Sequence, residues 1–489
     1  MRKNLLLYLL ILFVCGAGLY FILQHGSRLQ PGGTPSEESA QSRPLNVFPR
    51  PAPPQDVPSR SVVSVLIENL QHPLGILLLQ LIVIIVAARA LGVLFLKLGQ
   101  PAVIGEMVAG IILGPSLLGL LLPSVQAFVF PAASLGTLRL LSQIGVILYM
   151  FVIGIELDVQ NLRRKAHAAV LVSHASIIIP FCLGALLALF VYPSLAPAHV
   201  SFLAFALFMG IALSITAFPV LARIIEERDL SKSHLGSTAI ACAAVDDVTA
   251  WCLLAFVVAI AKADGLGGSL FTIILAFLFI SVMLFLLKPR ADRILGDALR
   301  NETHTKGMVA GVLTFVFVAA LSTEIIGIHA LFGAFLAGVI MPTNSSLRSF
   351  LRERLETFSS VFLLPLFFAF TGLRTQIGLL NDAQSWLICA GIVAVAVAGK
   401  FGGSMLAARW TGMNWHEATA LGALMNTRGL MELIVLNVGY DLGILSPRMF
   451  AMMVIMALVT TLMTGPVLAL LERAKKKKRA ASRRKEVVA

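Results

Sequence analysis

From about residue 74 onward the chain is a succession of apolar stretches separated by short polar loops. Stretches of about twenty apolar residues, coiled as helices, match the hydrocarbon thickness of a bilayer. Thirteen can be separated, at about 74–97, 101–122, 134–156, 166–191, 199–223, 234–261, 267–287, 306–324, 326–342, 358–378, 385–409, 416–438 and 448–471, here segments 1 to 13. The division between segments 8 and 9 is the least marked. One more apolar run, Leu5 to Leu23, follows Arg2 and Lys3, so residues 1–26 read as a signal sequence or signal anchor. The run is long for a cleavable peptide and lacks a convincing small-x-small site, which favours an uncleaved anchor. Residues 27–73, with Pro31, Pro35, Pro44, Pro49 and further prolines and serines, form a Pro/Ser-rich external linker with too little apolar surface to fold.

Composition sharpens this into a class. Apolar residues make up 58% of the 489 and charged residues 13%, with a mean hydropathy of +0.90. A soluble domain carries about a quarter charged residues. A soluble globular fold and disorder over most of the chain are both excluded, and the chain reads as an all-α polytopic membrane protein. The five cysteines (Cys15, Cys182, Cys242, Cys252, Cys389) sit in apolar stretches without CxxC spacing, which points to neither a disulfide framework nor a metal site.

The net charge of +13 is topological. Loops after odd-numbered segments hold sixteen Lys and Arg; loops after even-numbered ones hold three, Lys262, Arg374 and Arg448. Basic loops stay in the cytoplasm, so the thirteen-segment core starts outside and ends inside. Residues 472–489, with Lys475 to Lys478, Arg479, Arg483, Arg484 and Lys485, form a basic cytoplasmic tail suited to anionic lipid headgroups rather than to nucleic acid.

Charges within apolar segments carry the chemistry. A charge at the bilayer centre costs about 2.5–3.5 kcal/mol on insertion scales. Asp246 and Asp247 lie in the middle of segment 6, with side chains about 100° apart on a helix, so one can face a cavity while the other meets a basic partner. Purely structural pairing of both is the alternative. Lys400, the only lysine at a segment centre, lies among Gly399, Gly402 and Gly403 in segment 11 and is the counter-charge for one aspartate; an interfacial, snorkelling lysine is the alternative. Segments 5 and 12 are interrupted, one by Ser214, Thr216 and Pro219, the other by Asn426, Thr427, Arg428, Gly429 and Glu432. Unwound backbone at membrane depth is tolerated only beside a cavity or inside protein, and paired broken helices point to a transport site. Arg428 and Glu432, four residues apart, can neutralise each other. Segments 4, 5 and 6 relate to 11, 12 and 13 by an offset of seven, which inverts topology and leaves segment 7 as a link between two six-helix units. Glu106, Arg139 and Gln143 are further polar groups inside segments, and Glu324 and His329 flank the break between segments 8 and 9. No phosphate-binding loop, zincin helix or serine-triad signature is present, so neither an ATP-driven pump, an enzyme nor a bound cofactor is expected.

The stretches Gln100 to Glu106, Ala217 to Arg223, Val245-Asp246-Asp247 and Asn426 to Leu433 together resemble the monovalent cation/proton antiporter superfamily, second branch, over residues 74–471. The resemblance implies a thirteen-helix fold with crossed, unwound helices at segments 5 and 12, a dimer domain and a core domain, and a homodimer in a bacterial inner membrane. It assigns cation and proton binding to Asp247, with Asp246 beside it, Lys400 as its basic partner and Thr216 lining the site. It also implies electrogenic exchange of sodium or potassium for protons, with a tilt to potassium. A channel on the same fold, or a sensor without transport, are the competing readings; no selectivity-filter loop resembling TVGYG is apparent, and a sensor would not need both Asp247 and Lys400.

Overall fold

In hydrocarbon every backbone N–H and C=O must find a partner within the protein, which leaves the helix as the form for these apolar stretches. The computed structural model describes residues 2–31, 70, 72–156, 166–230, 233–262, 266–291, 293, 306–342 and 345–488. The Pro/Ser-rich stretch 32–69, the basic loop residues Arg163, Arg164, Lys165, Lys232 and Arg300, and the tail side chains lie outside that description.

The order is α1 (Arg2–Gly26), α2 (Pro73–Lys97), α3 (Ala102–Leu113), α4 (Leu118–Leu121), α5 (Pro123–Val129), α6 (Leu135–Glu156) and α7 (Ala166–Leu195). Then come α8 (Phe202–Ser214), α9 (Phe218–Glu227), α10 (His234–Lys262), α11 (Leu266–Ser281), α12 (Lys306–Ile326) and α13 (Ala330–Val339). The chain closes with α14 (Ser345–Phe358), α15 (Leu364–Arg374), α16 (Ala383–Val397), α17 (Gly403–Trp410), α18 (Trp415–Met425), α19 (Leu430–Asp441) and α20 (Pro447–Val488). Among the described residues eleven helices, some continuing through bends, are long and apolar enough to cross a membrane: α1 and those of segments 1–4, 6–8, 10, 11 and 13.

Segments 5, 9 and 12 differ. Segments 5 and 12 are each two short helices with unwound residues between. The break in segment 5 is Ile215–Ala217, and Pro219 lies in the first turn of α9. There a missing N–H costs nothing, so Pro219 starts the second half rather than kinking a continuous helix. Segment 9, expected over 326–342, holds only the ten-residue α13, about 15 Å long. Gly327 (φ +94°) and His329 (φ +86°) turn the chain just before it, and Glu324 accepts a hydrogen bond from the Ala330 amide at 2.8 Å.

The helices form two groups. Segments 1–3 and 8–10 pack on one another, and segments 4–6 and 11–13 do the same. Segment 7 (α11) touches both α10 and α12. Segments 3 and 10, 4 and 11, and 5 and 12, each seven apart, are in contact. Small residues permit the closest approaches: a Cβ on Gly372 would lie 2.0 Å from the Gly110 carbonyl carbon, and one on Gly399 2.9 Å from the Pro180 Cα.

Candidate functional site

The second group is built around the two broken helices. At the crossing the Ala217 amide donates to the Thr427 carbonyl at 3.0 Å, joining one break to the other. The unwound ends leave helix carbonyls without amide partners, and cations fill that role. The Arg428 guanidinium, fully buried, donates to the carbonyls of Ala212 (2.7 Å) and Leu213 (2.6 Å) and to Glu432 (2.9 Å). Lys400 donates to the Ser214 carbonyl. Positive charge at the C-terminal end of α8 also suits the helix dipole. From segment 13, the Thr461 hydroxyl accepts from the Arg428 amide (3.0 Å) and is placed to donate to its carbonyl (2.6 Å). Thr464 lies 3.3 Å from Thr427. Asn426 is buried, with its side-chain oxygen unpartnered among the described residues.

Beside the crossing, α10 presents its two aspartates in different directions. Asp246 is fully buried and fully bonded. Its Oδ1 accepts from Ser173 (2.6 Å); its Oδ2 accepts from Ser176 (2.5 Å), Thr216 (2.8 Å) and Lys400 (2.8 Å). Lys400 sits in a π-helical turn, Ala398–Gly402, and also donates to the Ser176 carbonyl at 2.9 Å. Such turns often occur at functional sites because they redirect a side chain.

Asp247 has none of this. It is 1% exposed, and neither carboxylate oxygen has a hydrogen-bond partner among the described residues. The space beside it is about 10 Å³, one water-sized sphere, lined by Ile215, Ala250, Trp251, Leu254, Met431 and Val435. A charged carboxylate without a partner is strongly unfavourable in such surroundings.

A larger cavity of about 450 Å³ lies where the two groups of helices meet. Gln143, Glu324, His329, Arg374, Asn437 and Asp441 line it, together with Ile434 and Val438. Met431 and Val435, which face Asp247, are neighbours of Ile434 and Val438 on α19. At its rim Asp441 bridges Arg139 (3.2 Å) and Arg374, and Arg374 also bonds Asn437 at 3.0 Å.

Two broken helices crossing beside a buried carboxylate suit an ion or substrate site at membrane depth, and comparison with known proteins decides the family. The family model described as sodium/hydrogen exchanger, transmembrane, matches residues 66–473. The chain belongs to the sodium/hydrogen exchanger family. It is 48% identical over 401 residues to the Na(+)/H(+) antiporter NhaS4 of Synechocystis sp., covering 81% of this chain and 97% of that one. It is 41% identical to cation/H(+) antiporter 17 of Arabidopsis thaliana and 32% identical to K(+)/H(+) antiporter 1 of Saccharomyces cerevisiae, over 82% of this chain in each case. It spans about half the length of those two relatives, 49% and 46%. The sodium proton antiporter MjNhaP1 of Methanocaldococcus jannaschii superposes with a TM-score of 0.55 at 17% identity, over 79% of this chain and 94% of that one, which shows a shared fold.

Within this exchanger fold the structure brings together Asp246, Asp247, Thr216 and Lys400, with Asn426, Thr427, Arg428 and Glu432 at the crossing. Sequence reasoning missed Ser173 and Ser176, one turn apart on α7, which complete the shell of Asp246. It missed Thr461 and Thr464 on α20 as well. The only signal was hydroxyl pairs spaced three residues apart, on one helix face. Glu106 is buried in α3, which belongs to the first group of helices.

Proposed function

We propose that the protein is a monovalent cation/proton antiporter in which cation and proton compete for Asp247. The unpartnered state of the Asp247 carboxylate, one residue from a saturated Asp246–Lys400 pair, carries this reading. An unpaired carboxylate deep in the protein takes either a proton or a cation. If only the occupied, neutral carboxylate passes the barrier between the two sides, exchange is obligatory. Asp246 keeps Lys400 in place, and both ends of that pair are anchored by hydroxyls and carbonyls of α7 and α8, so the pair shapes the site rather than filling it.

Thr216 belongs to the lining, and Asn426, Thr427, Arg428 and Glu432 hold the crossing. The cavity with Arg374 and Asp441 at its rim gives access from the outer face. That orientation rests on the loop charges, with the core beginning outside and the basic tail in the cytoplasm of a bacterial inner membrane. Residues 74–471 form the transport domain, and 472–489 lie against anionic lipid. A homodimer built through the first group of helices would leave the second free to move. Sodium and potassium both suit oxygen donors, and the names of the relatives include both. Asp247 alone would exchange one proton for one cation without net charge; Lys400 adds a second titratable group, and a second proton carried by it when its pairing with Asp246 is disturbed makes the exchange electrogenic.

The test is reconstitution in proteoliposomes with a trapped proton-sensitive dye, adding sodium, potassium, lithium and rubidium in turn. Cation-driven proton efflux supports antiport. Current that passes without proton movement would favour a channel.

A further inference from the structure

We propose that α1 is a retained transmembrane helix docked lengthwise on α7 of the same chain, backing the helix that supplies Ser173 and Ser176 to the site. The matched family region begins at residue 66, so this helix lies outside it. Along α1 the less exposed positions include Tyr8, Ile11, Cys15, Leu19, Ile22 and Gly26. Their spacing of 3, 4, 4, 3 and 4 marks one continuous helix face. The opposite face, with Phe13 74% and Phe21 67% exposed, is apolar and suits lipid.

The contacts run the length of the helix. The Tyr8 ring meets the His174 ring edge-on at 5.5 Å, between the two site serines. Cys182 Sγ lies 3.6 Å from the Cys15 carbonyl oxygen. At the far end Gly26 sits so close to Phe202 that a Cβ there would fall 1.9 Å from the ring. The two helices therefore run parallel, which places the N-terminus of α1 on the same side as the start of α7. A removed leader has no use for a seat matched from Tyr8 to Gly26.

The test uses the full chain with Cys242, Cys252 and Cys389 changed to Ala and a protease site placed in the 32–69 stretch. After copper-catalysed oxidation in membranes and proteolysis, the Cys15–Cys182 cross-link should hold the two fragments together on a non-reducing gel. Cys15→Ser should abolish the product. Gly26→Leu should reduce it to background, whereas Gly16→Leu, where nothing lies within 4 Å, should leave it intact. A mature N-terminus beyond residue 26 by mass spectrometry would overturn the proposal. So would folded protein that keeps α1 yet forms no cross-link, or a dimer-sized product before proteolysis, which would seat α1 on a second copy.

Discussion

At the scale of single residues, neighbouring groups of one chemical type are separated by their surroundings. Asp246 accepts four hydrogen bonds and Asp247 none among the described residues. Lys400→Gln would leave Asp246 without its cation, and removing one partner of a buried pair costs about 3–5 kcal/mol. The melting temperature should fall and any voltage dependence of exchange should shrink; if both stay unchanged, the 2.8 Å pair has no energetic weight. Asp382 offers a cleaner titration at the surface. It caps α16, and bonds from the Ser385 amide and hydroxyl hold its carboxyl below the usual carboxylate range. A depressed folded pKa gives stability that is present above the unfolded value, about 3.9, and is lost as pH falls through the folded one. The difference in melting temperature between wild type and Asp382→Ala should therefore be full at neutral pH and shrink on acidification, as differential scanning at a series of pH values would show. Asp246, Asp247 and Lys400 stood out in the sequence because a charge amid apolar residues demands a reason, and Thr216 because it falls in the interrupted stretch before Pro219. Ser173 and Ser176 did not, because a helical serine can bond its own preceding turn and leaves no pattern.

At the scale of elements, interruption and close approach decide the architecture. The breaks in segments 5 and 12 could be read from clustered polar residues and Pro219, and their crossing from the resemblance alone; the Ala217–Thr427 bond that joins them, between positions 210 residues apart, could not. Segment 9 was misjudged in length because hydropathy measures an apolar stretch and says nothing of the positive φ at Gly327 and His329 that cuts its helix short. Glycines set how tightly segments pack. Gly372→Ala would drive a methyl group into the Gly110 backbone, where there is no flexible side chain to yield. Overpacking of this kind costs typically about 1–3 kcal/mol. Thermal unfolding should show that loss, while Gly378→Ala, in open space, should match wild type.

At the scale of the whole molecule, two groups of helices meet at a cavity of about 450 Å³, and the candidate carboxylate lies in the second. If cation and proton compete for Asp247 as proposed, that competition fixes the pH behaviour of transport. As pH falls, protons should raise the apparent KM for the cation and leave the maximal rate at saturating cation little changed; a fall in maximal rate with constant KM would place proton and cation on different groups. The most direct measurement compares Asp247→Asn with Asp246→Asn in proteoliposomes, each shown to be folded and inserted. Asn keeps the size of Asp and one carbonyl oxygen but can neither titrate nor offer a charge. Asp247→Asn should abolish cation-driven proton exchange, and Asp246→Asn should weaken it. Near-normal exchange by Asp247→Asn, with or without loss in the Asp246 variant, would contradict the assignment of cation and proton binding to Asp247.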